Sequence, residues 1–300
     1  VASIIDCPIY YPNGQEIPQL QLSVPQHVIN NYDMLTRRDS LPRCKDVLSS
    51  LPTITIHNWM TTLTLERLAL RTQQIFARRD SLNKNWEDTL FVTIARNFGF
   101  GINGNAFEQW AQSIPMGAVG KHRDSIFQIE AIFFGQAGLL EGTMHDTYSS
   151  NLQKEYLYLQ QKFSLTPISR KTWKFLHLRP QNFPHIRIAQ LASIYYQQKL
   201  TMSSLLNARS IEAITSLLST DVSEYWRTHY TFDGPPSASA TRKLSPTSID
   251  LIAINSVAPM LFAYGKYKSD QDLCDQAFDL WQNIKPEKNN ITRNWASAGI

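Results

Sequence analysis

The fold is decided by the stretch Ser125-Ile126-Phe127-Gln128-Ile129-Glu130-Ala131-Ile132-Phe133-Phe134-Gly135-Gln136-Ala137. Within it, Ile126, Glu130, Phe133 and Ala137 follow one another at steps of four, three and four residues, the spacing of one helix face. The residues between them are mostly apolar, and the apolar run continues to Leu140. The sequence therefore predicts a buried helix over residues 125–137.

Helical spacing continues on both sides of this stretch. Apolar residues recur every three or four positions, and glycines, prolines and capping residues separate the segments. The segments have no fixed period, which argues against a regular solenoid. We predict a mainly α fold, an irregular multi-helix array, with further helices over residues 55–79, 86–98, 148–163, 184–195, 201–207, 210–218, 248–267 and 270–284 and in a terminal segment.

The first 24 residues follow a different pattern. Ile4/Ile5, Ile9/Tyr10 and the alternating Leu20-Gln21-Leu22 flank a Pro12-Asn13-Gly14 turn. This arrangement predicts a small N-terminal β element. We interpret residues 1–24 as the remnant of a preceding domain.

Residues 25–300 then form a single large helical domain in this interpretation. One segment inside it, residues 231–247, contains Gly234, Pro235 and Pro236 together with a run of serine and alanine. Such a composition predicts a mobile surface loop.

Composition restricts the class of protein. The 300 residues are 43% hydrophobic and 18% charged, with a net charge of +4, which is typical of a globular protein that tolerates an anionic partner. Three scattered cysteines predict no disulfide framework, so we expect a cytoplasmic protein. The longest apolar run, Ile249–Tyr264, is shorter than a membrane span and contains Asp250 and Asn255, so we expect no membrane insertion.

Common catalytic and cofactor motifs lack their structural context. Gly99-Phe100-Gly101-Ile102-Asn103-Gly104 has the letters of a dinucleotide fingerprint, but the preceding residues are helical and not a strand. The seven histidines show no metal-ligand spacing, and no nucleophile elbow or phosphate-binding loop is present. We therefore expect no cofactor and no metal.

Two glutamates lie on apolar helix faces. Glu130 shares its face with Ile126 and Phe133, and Glu155 lies among Tyr148, Leu152 and Leu159. A carboxylate in such a position must be paired, hydrogen-bonded or protonated. Two interpretations stay open, a buried ion-pair network that fixes helix register, which is the commoner case, and a general acid/base site.

Arginines that would pair with these glutamates lie in Leu178-Arg179-Pro180-Gln181-Asn182-Phe183-Pro184-His185-Ile186-Arg187. Pro184 suits the first position of a helix, where its missing N–H costs nothing. We expect a rigid start to that helix, with Arg179 and Arg187 reaching carboxylates such as Glu130. Together with Glu155, Asn182 and Asn255, these residues form the candidate polar cluster.

Asn255 belongs to that cluster because of Pro259. A proline four residues later removes the helix hydrogen bond to the Asn255 carbonyl and predicts a kink. The kink is either capped locally or forms a polar notch in a pocket.

The basic residues favour one further candidate site. Arg170, Lys171 and Lys174 surround Trp173, an arrangement that suits phosphate contact with base stacking, and equally a solvated helix end. We take the three cations as candidate phosphate-contacting residues.

Three stretches stand out together: Ile129–Leu140, Arg179–Ala192 and Ile254–Pro259, supported by Asn97-Phe98-Gly99 and Trp226-x-x-His229. They resemble a bacterial family catalogued as domain of unknown function 2851, for which no activity is established. The resemblance implies that the chain is the C-terminal helical portion of that architecture. It also implies a contact with an absent N-terminal domain that has loosely nuclease-like acidic and histidine-bearing segments.

Three functional hypotheses follow. The first is a helical scaffold or interaction region of a larger cytoplasmic protein. The second is part of a nucleic-acid-processing, nuclease-like enzyme that contacts the phosphate backbone. The third is an enzyme with a carboxylate–arginine site around Glu130, Glu155 and Arg179.

Overall fold

The computed structural model of the protein describes residues 7–20, 23–32, 36, 47, 50–284 and 293. The chain divides into two compact units, one formed by Val1–Pro52 with Lys288–Ile300 and the other by Thr53–Glu287. The boundary predicted from the sequence lies after residue 24 instead, and it stays a prediction. The terminal segment predicted after Ile284 falls outside the described residues.

The described residues are mainly helical, as the apolar spacing predicts. Single helical turns of 3₁₀ type are formed by Gly120–His122, Arg170–Thr172 and Pro180–Asn182, and a π-helical turn by Ala253–Val257. The α-helices are α1 Gln26–Asn30, α2 Thr53–Ser81, α3 Trp86–Phe98, α4 Gly104–Ser113, α5 Met116–Val119, α6 Ile126–Gln136, α7 Thr147–Phe163, α8 Pro184–Tyr196, α9 Met202–Asn207, α10 Ile211–Leu218, α11 Glu224–Thr228, α12 Pro246–Ile252, α13 Ala258–Lys268 and α14 Gln271–Asn283.

The predicted N-terminal β element was wrong. The described residues of this region form a turn with one isolated antiparallel bridge, between Tyr10 and Glu16, and no strand. The Ile17 amide donates to the Ile9 carbonyl over 2.8 Å, but a two-stranded turn without a further strand or a packed apolar face does not extend into a sheet. Ile4, Ile5, Gln21 and Leu22 lie outside the described residues.

The core of the larger unit is built around α6. Its residues from Ile129 to Gln136 are all buried, and α7 and α8 pack against it. Gly135 permits the close approach of α7, since a Cβ at this position would lie 2.0 Å from Cδ2 of Tyr156. The quoted stretch therefore forms the central helix of the fold.

Helix α3 turns into α4 through the glycine-rich segment. Gly99 ends α3 as predicted, and a Cβ there would lie 2.4 Å from the Asn103 carbonyl carbon, so glycine is required by the tight turn. Because the segment joins two helices, it lacks the strand that a dinucleotide site needs.

The apolar helices at the end of this unit run together as Pro246–Lys268. This stretch is long and apolar enough to cross a membrane by length and composition, but 67% of its most apolar window is buried inside the protein. In its middle, the π-helical turn Ala253–Val257 precedes Pro259, where the sequence predicts a kink. The turn lies beside α3 and defines one edge of the site described below.

The loop between α11 and α12 covers most of the predicted loop 231–247. The amides of Ser237 and Ala240 donate to carbonyls of α11 over 2.7 and 3.1 Å. Arg242 is buried and donates through Nε to the Trp226 carbonyl over 2.6 Å. The loop is thus tied to α11, and its mobility stays a prediction.

Candidate functional site: an arginine cluster beside a π-helix

Glu130 is fully buried, and its partners are hydroxyl groups. Tyr148 donates its phenolic O–H to Oε2, and Ser223 donates to Oε1 over 2.8 Å. Burial raises the pKa of Glu130 to about 7, and these two hydrogen bonds hold it from rising further. The neighbouring indole N–H of Trp226 also lowers this pKa, although it lies outside hydrogen-bond geometry.

The expected pairing of Glu130 with arginine was wrong. Within the part of the chain that the structure describes, neither Arg179 nor Arg187 forms an ion pair with it. Arg179 lies exposed at the start of the Pro180–Asn182 turn. Since Glu130 is closed off from solvent, it offers no substrate access for acid/base chemistry.

Glu155 belongs to a separate network. Its Oε1 accepts from Nε2 of Gln128 over 2.8 Å, and Oε1 of Gln128 lies 2.7 Å from Nδ1 of His122. This network connects the Gly120–His122 turn with α6 and α7, and it includes neither Glu130 nor an arginine. The structure therefore does not bring the two glutamates into one site.

Asn182 and Arg187 are brought together, as members of one polar cluster. Arg187 donates to Oδ1 of Asn182 over 2.7 Å and to Oε1 of Gln190 over 2.9 Å, and its guanidinium carbon lies 4.3 Å from the Phe100 ring centroid. Only 6% of the residue is exposed, and burial lowers its pKa to about 10. Neutral amides and an aromatic face thus replace the carboxylate that the sequence led us to expect.

The candidate phosphate-contacting residues Arg170, Lys171 and Lys174 are exposed on the surface. Trp173, however, is buried and donates its indole N–H to the Ala137 carbonyl over 2.7 Å. It is a core residue and cannot stack on a base. The predicted combination of phosphate contact and base stacking on Trp173 is therefore absent from this segment.

A stronger concentration of positive charge lies on α2 and α3, where two arginines contact one carboxylate of α4 and two further arginines lie near them. We call these residues the arginine cluster: Arg67, Arg71, Arg78, Arg96 and Glu108. Arg78 donates to Oε1 of Glu108 through Nε over 2.7 Å and Nη2 over 2.5 Å. Arg96 donates to the other oxygen, Oε2, and to Oδ1 of Asn105 over 2.9 Å. One carboxylate is therefore shared by two arginines.

Among the described residues, none offers Arg71 such compensation. It donates to Oδ1 of Asn255 in the π-helical turn over 3.3 Å and to Oε1 of Gln74 over 3.4 Å, both neutral groups. Burial lowers the pKa of Arg71, and repulsion by Arg67, Arg96 and Arg78 lowers it further. The positive charges of the cluster thus outweigh the negative charge around Arg71.

The π-helical turn holds this edge of the cluster in place. Asn97 of α3 donates through Nδ2 to Oγ of Ser256 over 2.6 Å and to the Asn255 carbonyl over 3.3 Å. The Asn255 carbonyl, which Pro259 leaves without its helical N–H donor, therefore accepts a hydrogen bond from the neighbouring helix α3. Single π turns occur frequently at functional sites, and this one presents the Asn255 amide to an arginine.

A cavity of about 390 Å³ opens beside the arginine cluster. It is lined by Arg78, Arg96 and Glu108 together with Gln74, Ala77, Ser81 and Gln112. The residues of the arginine cluster are not among the candidate site residues predicted from the sequence. The spacing of 67, 71 and 78 on one predicted helix was the available signal, because steps of four and seven residues fall on one face.

The described residues contain no group of three or more His, Cys, Asp or Glu side chains able to hold a metal ion.

A family model described as "Protein of unknown function (DUF2851)" matches residues 1–290, so the match covers most of the chain and not a C-terminal part alone. The chain therefore belongs to this family. No curated protein and no solved structure matches it.

Proposed function

We propose that this member of the DUF2851 family is a non-catalytic helical binding module that holds the phosphate backbone of a single-stranded nucleic acid on the arginine cluster. The observation that carries the proposal is the uncompensated charge around Arg71. Guanidinium groups recognise phosphates with two parallel donors, and the excess of such groups over carboxylates favours an anionic ligand.

The distribution of the arginines along α2 supports an extended ligand. Arg67 and Arg71 lie one helical turn apart on a face that continues towards the N-terminus of α2 through Leu63 and Trp59, at steps of four residues. Trp59 is 58% exposed. A backbone bound by the arginines would therefore pass an exposed indole on which a base can stack.

Stacking is also the argument for a single strand. Bases in a duplex are already stacked, whereas unpaired bases gain by contact with an aromatic side chain. The exposed Trp59 has no counterpart beside Arg170, Lys171 and Lys174, because Trp173 is buried there. This difference makes the three-cation segment a matched control for nonspecific surface charge.

The proposal is tested by fluorescence anisotropy with a labelled single-stranded oligonucleotide of about 20 nucleotides, titrated at a series of salt concentrations. The double variant Arg67→Gln/Arg71→Gln should bind at least tenfold more weakly than the wild type. Its slope of log K against log salt should be smaller by about 1.4, since each lost phosphate contact changes the slope by about 0.7 for single strands.

The control is the triple variant Arg170→Gln/Lys171→Gln/Lys174→Gln, which removes more charge from the surface but should keep most of the affinity. The variant Trp59→Ala should weaken binding to the single strand and leave any binding to a duplex unchanged. Absence of binding at about 50 mM salt, or a greater loss in the triple than in the double variant, would overturn the proposal.

A further inference from the structure

A second cavity, of about 400 Å³, lies in the larger unit between the start of α3, the short helix α5, the end of α8 and residues 198–201. Its volume falls within the range of small-molecule sites. The floor is apolar and consists of Leu90, Phe91, Ile94, Leu191, Ile194 and Leu200. The cavity is separate from the arginine cluster, since the two share no lining residue.

One carboxylate at the rim has no partner. Asn85 caps α3 by accepting from the amides of Glu87 and Asp88, and the Glu87 carboxylate accepts from the Met202 amide over 3.1 Å. The Asp88 carboxylate, by contrast, has no hydrogen bond or ion pair within the described chain. Asp88 is partly buried, and burial raises its pKa.

Tyr195 and Arg123 form another part of the cavity wall. The guanidinium carbon of Arg123 lies 5.8 Å from the Tyr195 ring centroid and covers one side of the ring. An apolar floor with a few convergent polar groups is the usual composition of a ligand site.

We infer that this cavity binds a small organic cation, an ammonium group on an aromatic or aliphatic body, with the ammonium on Asp88 and the body on the apolar floor. The carboxylates of Glu87 and Asp88 outnumber the single guanidinium of Arg123 at the rim, so a cation is favoured over an anion.

The position of Asp88 has a simpler explanation that the experiment must exclude. An acid in the first turn of a helix is stabilised by the helix dipole without any ligand. Asp272 offers a matched comparison, because it lies in the first turn of α14, is exposed and does not line this cavity. Asp88→Asn and Asp272→Asn therefore remove equivalent charges, and only the first alters the cavity.

The test is isothermal titration of the full chain at pH 7.5 with 2-phenylethylamine, and separately with 3-phenylpropionate, which has a similar apolar body and the opposite charge. The amine should bind and the acid should bind at least tenfold more weakly. Asp88→Asn should weaken binding of the amine at least tenfold, whereas Asp272→Asn should leave it unchanged. Leu200→Trp, which places a larger side chain in the cavity, should abolish binding of the amine.

Circular dichroism of each variant confirms that it is folded before titration. The inference is overturned if the amine does not bind, if the acid binds as tightly as the amine, or if Asp88→Asn and Asp272→Asn have equal effects. Because Leu200→Trp and Asp88→Asn act through volume and charge respectively, binding that survives either change also contradicts it.

Discussion

Replacing Glu130 with glutamine should make the stability of the protein less sensitive to pH. The carboxyl group of Glu130 is fully buried and accepts from the hydroxyls of Tyr148 and Ser223. Glutamine has the same shape and keeps a carbonyl oxygen for one hydroxyl, while Ser223 can turn to accept from the amide. The substitution therefore removes the ionisable group with little change in packing.

The magnitude follows from the pKa, which burial raises from 4.5 to about 7. Between these values the folded protein holds a proton that the unfolded chain releases, so the free energy of unfolding falls as the pH rises. About 2.5 pH units at ~1.4 kcal/mol each give a loss of about 3 kcal/mol, complete above the folded pKa. Glutamine does not titrate and avoids this loss.

His185 also contributes to the pH dependence of the free energy of unfolding of the wild-type protein. Burial, and secondly the charge of Arg170, lowers its pKa from 6.5 to about 3. Between these values the unfolded chain holds a proton that the folded protein lacks, so the free energy of unfolding falls as the pH falls. Between pH 4.5 and 6.5, the contributions of Glu130 and His185 to the free energy of unfolding change in opposite directions and nearly cancel. The pH dependence of the wild-type protein alone therefore does not report on Glu130.

The difference between variant and wild type isolates Glu130, because both proteins contain His185. Urea unfolding followed by circular dichroism at half-unit steps from pH 5 to pH 8 should give Glu130→Gln a relative stability that rises by about 2–3 kcal/mol, since part of the change lies below pH 5. Glu141→Gln, which removes an exposed carboxylate, controls for the loss of one surface charge. A difference curve that stays flat within about 1 kcal/mol would refute the argument, since Glu130 would then be ionised in the folded protein throughout.

Two further substitutions test the packing and the loop contacts. Gly135→Ala should destabilise the protein by about 3 kcal/mol or prevent folding, because the new Cβ would lie 2.0 Å from the Tyr156 ring. The control is Gly117→Ala, whose Cβ meets no atom within 4 Å, and it should be neutral or slightly stabilising in thermal unfolding. Equal melting temperatures for the two alanine variants would contradict this. Asp146 and Asp270 each cap a helix, but Asp146 also accepts from the Asp233 amide over 3.0 Å and from the Tyr225 hydroxyl over 2.9 Å. In urea unfolding, Asp270→Ala should lower the free energy of unfolding by about 1 kcal/mol, and Asp146→Ala should lower it by more. The same loss in both variants would show that the contacts to the loop add nothing.

The helices could be predicted well because their signals are local. The bounds of α3 agree with the prediction, since Asn85 caps its start and Gly99 ends it. Pro184 begins α8 as predicted, because the first residue of a helix needs no N–H donor. The β element failed because a turn with apolar flanks does not determine whether a further strand will pair with it.

The partners of the buried charges could not be predicted, because they depend on tertiary contacts. Glu130 takes its two hydroxyls from residues 18 and 93 positions away in the chain. Tyrosine and serine are common and carry no charge to mark them as partners, so the sequence favoured the arginines. The same reasoning failed for Arg187, which Asn182 and Gln190 solvate with neutral amides.

The arginine cluster illustrates why function is harder to infer than fold. Arg67, Arg71 and Arg78 share a face of α2, but each alone resembles an ordinary solvated side chain. Only the tertiary contacts show that Arg78 and Arg96 share the single carboxylate of Glu108, while Arg71 donates to the amide of Asn255. A protein that needed these cations for stability alone would gain from a carboxylate at that position, since an amide leaves the repulsion among the arginines uncompensated. The amide of Asn255 at this position is therefore the reason why we propose that an external anion completes the cluster.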